Sequence, residues 1–91
     1  MHGGSIFGRT AAARVFRVLY NNRGTRFSTL TLEEAAEVKA GSTRVSEVDR
    51  ELKLRGLPLW IKREKQRKTR MDGGLTVIWY YTMHNQGEGG E

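Results

Sequence analysis

The chain of 91 residues contains no cysteine, which removes disulfides, thiolate metal sites and cysteine nucleophiles at once. Its two histidines, His2 and His84, stand near opposite ends of the sequence. Neither a zinc site nor a nucleophile–base pair is therefore expected. No apolar run approaches the roughly 20 residues needed to cross a bilayer, so no membrane partner is expected. Met1–Gly8 is glycine-rich and lacks the apolar centre of a secretory leader. Paired carboxylates and a glycine-rich phosphate loop in a workable context are missing too. From these absences we expect no enzymatic activity, no metal and no small-molecule cofactor. Acidic residues are also in the minority: ten Asp and Glu stand against sixteen Lys and Arg, for a net charge of +6. A basic surplus of this size in a small domain points to a polyanionic partner.

A chain this short holds one domain, and on folding it buries only about 60–65% of the surface exposed by the unfolded chain. The ends, 1–8 and 84–91, offer little apolar surface for docking and are expected to be flexible. The patterned region runs from Arg9 to Met83. Ala12, Val15, Phe16 and Leu19 follow helical spacing behind a cap at Thr10, and Asn21–Gly24 is a stop signal. Thr25–Leu30 suits a short strand or extended connection. Thr31 and Glu34 have the spacing of a capping box, predicting a second helix that buries Leu32, Ala35, Ala36 and Val38 and ends near Lys39–Ala40. Gly41 then supplies a tight turn, and Ser42 or Thr43 caps a third helix with Val45, Val48 and Leu52 inward. Arg55–Gly56 and Pro58 end it.

The remainder predicts a hairpin. Leu59–Ile61 leads into a charged run, Met71–Gly74 carries a turn signal, and Leu75–Met83 is rich in β-branched and aromatic residues. The odd-numbered face of the last strand (Leu75, Val77, Trp79, Tyr81 and Met83) is expected to pack on the core, with Trp79 and Tyr81 as its aromatic fillers. The register has two alternatives: a long ribbon turning at Asp72-Gly73, or a shorter hairpin with a loop over 66–74.

The segments Leu32–Ala36, Ser42–Val48 and Leu52–Pro58, in the order helix, short strand, helix, tight turn, helix, ribbon, resemble the winged helix-turn-helix superfamily. They are most similar to its small phage- and prophage-encoded members. The resemblance implies an α+β fold with three helices and a C-terminal two- or three-stranded antiparallel β wing. It also implies a cytoplasmic, nucleoid-associated or host-cytoplasm setting and sequence-selective binding of double-stranded DNA in transcription regulation. In such domains the third helix enters the major groove. Mapped here, that nominates Ser42, Thr43, Arg44, Ser46, Glu47, Arg50 and Lys53. Arg44 suits guanine, Glu47 suits a cytosine amino group, and the hydroxyls and remaining cations suit phosphates. The bland alternative is that Arg44, Glu47, Arg50 and Glu51 form surface ion pairs along the helix.

The wing nominates Lys62, Arg63, Lys65, Arg67, Lys68 and Arg70, six cations against one acid in nine residues. Like charges facing one another across the hairpin are expected to need neutralising by phosphates. Arg67, Lys68 and Arg70 are also placed to enter a minor groove. Other partners allowed by the same pattern are a second copy of the chain on a palindromic site, an acidic host protein surface, and RNA or single strands stacked on the aromatics.

Overall fold

The Thr10 hydroxyl accepts a hydrogen bond from the Ala13 amide at 3.1 Å and starts α1 (Ala11–Asn21). It does so in the computed structural model of the chain, which describes residues 10–87. The expectations for the first eight residues and for 88–91 lie outside the described residues. Ala12, Val15, Phe16 and Leu19 are buried as their spacing predicts, and Ala13 joins them. At the helix end Gly24 turns the chain with a φ of 85°. Its amide donates to the Met83 carbonyl at 2.9 Å, fixing the turn to the sheet.

The extended connection shrinks to β1 (Phe27–Ser28), because the second helix begins earlier than its capping box predicts. Ser28 reaches the Thr31 amide first, at 3.1 Å, and starts α2 (Thr29–Ala36). Thr31 and Glu34 therefore do not cap this helix. Leu32 and Ala36 are buried, while Ala35 is exposed and Val38 packs beside the core from beyond the helix end. The helix stops at Ala36 rather than near Lys39–Ala40. Glu37 takes the left-handed conformation (φ 57°), its amide donates back to Glu34 and the Val38 amide to Glu33. This is the two-bond closure usually given to glycine.

The turn before α3 (Gly41–Arg55) also differs from expectation. Ala40, not Gly41, takes the left-handed backbone (φ 56°), and neither Ser42 nor Thr43 caps the helix. Its first amide, that of Gly41, donates instead to the Glu33 carboxylate of α2 at 2.7 Å. Val45, Val48 and Leu52 face inward, and Gly56 (φ 63°) closes the helix.

β2 (Leu59–Thr69) and β3 (Leu75–Asn85) form an antiparallel ribbon of eleven residue pairs, from Leu59 opposite Asn85 to Thr69 opposite Leu75. With β1 it makes a three-stranded sheet in the order β1-β3-β2. The ribbon is long, but neither expected turn is used. The Arg70 amide donates to the Gly74 carbonyl at 2.7 Å and the Gly73 amide to the Arg70 carbonyl at 3.0 Å. The loop is thus Met71-Asp72-Gly73, with Gly73 at φ 87° in the place of a G1 bulge. β3 also runs past the expected limit at Met83. His84 pairs with Trp60, and the Gln86 amide donates to the Pro58 carbonyl.

The chain is α+β, with three helices and a three-stranded antiparallel sheet. Val15, Phe16 and Leu19 meet Leu32, Val45, Val48 and Leu52, and the lower sheet closes over them with Leu59, Ile61, Tyr81 and Met83. The core stops there. The expected odd-numbered face of β3 is buried only at Tyr81 and Met83, whereas Leu75, Val77 and Trp79 are exposed. β1 covers β3 only at Tyr80 and Tyr81. Five pairs, from Lys65 opposite Trp79 to Thr69 opposite Leu75, therefore lie beyond β1, the first of them tied back where the Thr29 hydroxyl donates to the Trp79 carbonyl. At about 3.4 Å per residue they project roughly 17 Å beyond the sheet. Among the described residues no helix is long and apolar enough to cross a membrane.

Candidate nucleic-acid interface

The inward set Val45, Val48 and Leu52 fixes how α3 is rotated on the core, and so decides which nominated residues share a side. Ser42, Thr43 and Ser46 border a cleft of about 280 Å³ whose opposite wall is Arg63, Trp79 and Tyr81 of the ribbon. Helix and ribbon thus converge on one concave surface. Residues two apart on a helix point nearly oppositely. Arg44, between Ser42 and Ser46, therefore points away from the cleft. It pairs with Glu47 at 3.1 Å, both half-buried. Arg44 Nε and Glu47 Oε1 make no aligned hydrogen bond, so charge rather than geometry holds this pair. Arg50 is exposed on α3.

Asp49 is the acid on the ribbon side. Its carboxylate is 3.3 Å from the Lys53 ammonium and 3.9 Å from the Arg63 guanidinium. One carboxylate between two cations leaves a net positive charge beside the cleft. Arg63 keeps most of its five donors for another acceptor.

The six cations of the ribbon do not form a single cluster. Side chains alternate along a strand, so Arg63, Lys65 and Arg67 share the cleft face, while Lys62 and Lys68 lie on the other. Arg70 is in the turn, 3.4 Å from the Asp72 carboxylate. The expected cross-strand repulsion is absent as well. Opposite Lys62, Arg63, Lys65, Arg67 and Lys68 stand Thr82, Tyr81, Trp79, Val77 and Thr76. All the charge is on β2, and each cleft-facing cation is opposite an apolar or aromatic residue.

Trp79 was expected in the core and is instead 41% exposed, whereas Tyr81 is 3% exposed as expected. The Lys65 ammonium is 5.9 Å from the Trp79 ring centroid. The Trp79 carbonyl accepts from the Thr29 hydroxyl at 3.3 Å, which ties this point of the ribbon to the start of α2. The reason for the exposure is the shortness of the helical layer, which ends below Trp79. Trp60 and Tyr80 lie on the reverse face. There Trp60 packs against His84 at 5.1 Å between ring centroids, and Arg26 stacks over Tyr80 at 4.1 Å.

The nominated residues therefore divide. Ser42, Thr43, Ser46, Arg63, Lys65 and Arg67 share one surface, with Lys53 at its edge and Arg50 one turn beyond Ser46 along the same side of α3. Arg44, Glu47, Lys62 and Lys68 are elsewhere. Glu33 was missed as the group that holds the start of α3. Its carboxylate already occupies that helix end, so the hydroxyl row and ribbon cations, rather than the helix dipole, are what an anion can meet here. The surface offers hydroxyl donors, mobile cations and one half-exposed indole, a set suited to a sugar–phosphate strand. Compared with known proteins, the chain matches no family model, no curated protein and no solved structure.

Proposed function

We propose that the chain is a winged helix-turn-helix protein that binds duplex DNA with sequence selectivity and acts as a small transcription regulator. The observation that carries this reading is the cleft shared by Ser42, Thr43 and Ser46 of α3 and by Arg63 and Trp79 of the ribbon. α3 lies in the major groove, where its outer side from Thr43 to Arg50 meets base edges. The strand bordering that groove runs through the cleft. Hydroxyls and Arg63 hold its phosphates, and Trp79 packs on its sugars. A helical turn of duplex is about 34–36 Å, so the next minor groove is roughly half that distance away. The free part of the ribbon spans this interval, bringing Arg67, Lys68 and Arg70 to the minor groove.

The test is fluorescence anisotropy of a labelled duplex of mixed sequence at several salt concentrations, repeated with one of its strands alone. The expected result is duplex binding near the micromolar range that exceeds single-strand binding and weakens steeply with salt. No duplex binding at low salt would overturn the reading. The exposed cations would then point to an acidic protein surface.

A further inference from the structure

The tip of the ribbon carries a residue that binding to phosphate does not explain. Met71 is fully exposed, directly after Arg70 and within a few residues of Arg67 and Lys68. A solvated turn gains nothing from a thioether, and none of the core residues is near enough in the sheet to receive it. Met71 is also held forward on a well-formed turn. The Arg70–Gly74 and Arg70–Gly73 backbone bonds close the loop, the Gly74 amide donates to the Asp72 carboxylate at 2.9 Å, and Arg70 leans on the same carboxylate. A Cβ on Gly74 would collide with the Arg70 guanidinium, so a bare residue there lets the arginine fold back. With Arg70 folded back onto the exposed Asp72 carboxylate, Met71 is the apolar side chain of the three-residue loop at the tip.

We propose that Met71 is an apolar wedge that enters the minor groove, partly unstacks one base step and bends the duplex. The proposal rests on the duplex-binding reading and deepens it. Methionine is unbranched and polarisable, so it adapts to the irregular gap between unstacked base pairs. Apolar side chains inserted from the minor groove open it and kink the axis by about 20–90°. Unstacking is unfavourable, and the contacts of Arg67 and Lys68 with the flanking phosphates offset it through counterion release. The roughly 17 Å reach of the free ribbon sets the kink about half a helical turn from α3. Flexible pyrimidine–purine steps are the preferred point of entry. The bend thus adds selectivity at a position that α3 does not touch.

The experiment uses the full chain and a duplex of about 30 base pairs with a donor and an acceptor fluorophore at its ends, long enough to register a bend. Anisotropy of the same duplex reports saturation independently. At saturation the unaltered chain shortens the end-to-end distance, and Met71→Leu does the same. Met71→Ser loses at least half of the shortening while its affinity falls by less than about tenfold. A saturated complex with no shortening would overturn the wedge and leave duplex binding standing. So would a Met71→Ser complex as bent as that of the unaltered chain. Failure to saturate the duplex at all would overturn the duplex-binding reading, and the wedge with it.

Discussion

Ala40 holds a φ of 56° and Glu37 one of 57°, both in the left-handed region where a Cβ is disfavoured. The strain persists because the chain must reverse between α2 and α3 within four residues while Glu33 reaches the Gly41 amide. A methyl on Gly41 would sit 2.8 Å from Glu33 Cγ, so glycine at this position serves the approach of a side chain. Ala40→Gly is expected to raise stability by about 0.5–1 kcal/mol, and Glu33→Ala to lower it by about 0.5–2 kcal/mol, as loss of a helix cap does. Urea unfolding followed by circular dichroism checks both, and destabilisation by Ala40→Gly would contradict the strain argument. Gly56 could be read from sequence because glycine itself marks a left-handed helix end. Ala40 and Glu37 could not, since their conformation is imposed by tertiary contacts. Ser28 displaced Thr31 as a cap for a similar reason, with two hydroxyl residues competing and the pairing of Phe27–Ser28 with Tyr81 and Tyr80 settling the outcome.

At the scale of elements, β2 is an edge strand, since the sheet runs β1-β3-β2. Its cations guard that edge against pairing with another chain, and this accounts for some charge without any ligand. The alternation of faces separates the two roles. If the cleft face holds phosphates, Arg63, Lys65 and Arg67 replaced together by alanine are expected to reduce the salt slope of duplex binding by roughly 2–3, near 0.9 per lost contact. Replacing Lys62 and Lys68 should reduce it by about 1, the single contact of Lys68 near the tip. Anisotropy titrations across salt concentrations measure both, and equal changes would show that the faces are not distinguished. The run of six cations and the turn signal were legible in the sequence. Their division between faces needed the register, which Arg70, Gly73 and Gly74 set through a three-residue loop.

At the scale of the whole molecule, the helical layer and the sheet have different lengths. The ribbon outruns its core, as the exposure of Leu75, Val77 and Trp79 shows. Helical spacing identified Val15, Phe16, Leu19, Val45, Val48 and Leu52 because each has one buried stripe. Alternation on β3 identified a face without showing where its burial ends, which is why Trp79 was expected inside. The same mismatch creates the cleft, since α3 passes under the overhanging strand and leaves Trp79 facing Ser42, Thr43 and Ser46 across a gap. Arg44 and Glu47 were nominated from exposure along α3 alone, and the ribbon then marked the other side of the helix as concave.

Of the chain's two tryptophans, Trp79 borders the cleft and Trp60 lies on the reverse of the same sheet. The most direct test is therefore to follow the two indole N–H resonances by NMR while titrating a duplex of mixed sequence, with assignments from Trp60→Phe and Trp79→Phe. If duplex DNA occupies the cleft, the Trp79 resonance shifts or broadens as the complex forms and the Trp60 resonance stays in place. Movement of Trp60 with Trp79 unchanged, or no movement of either at saturating duplex, would contradict the account.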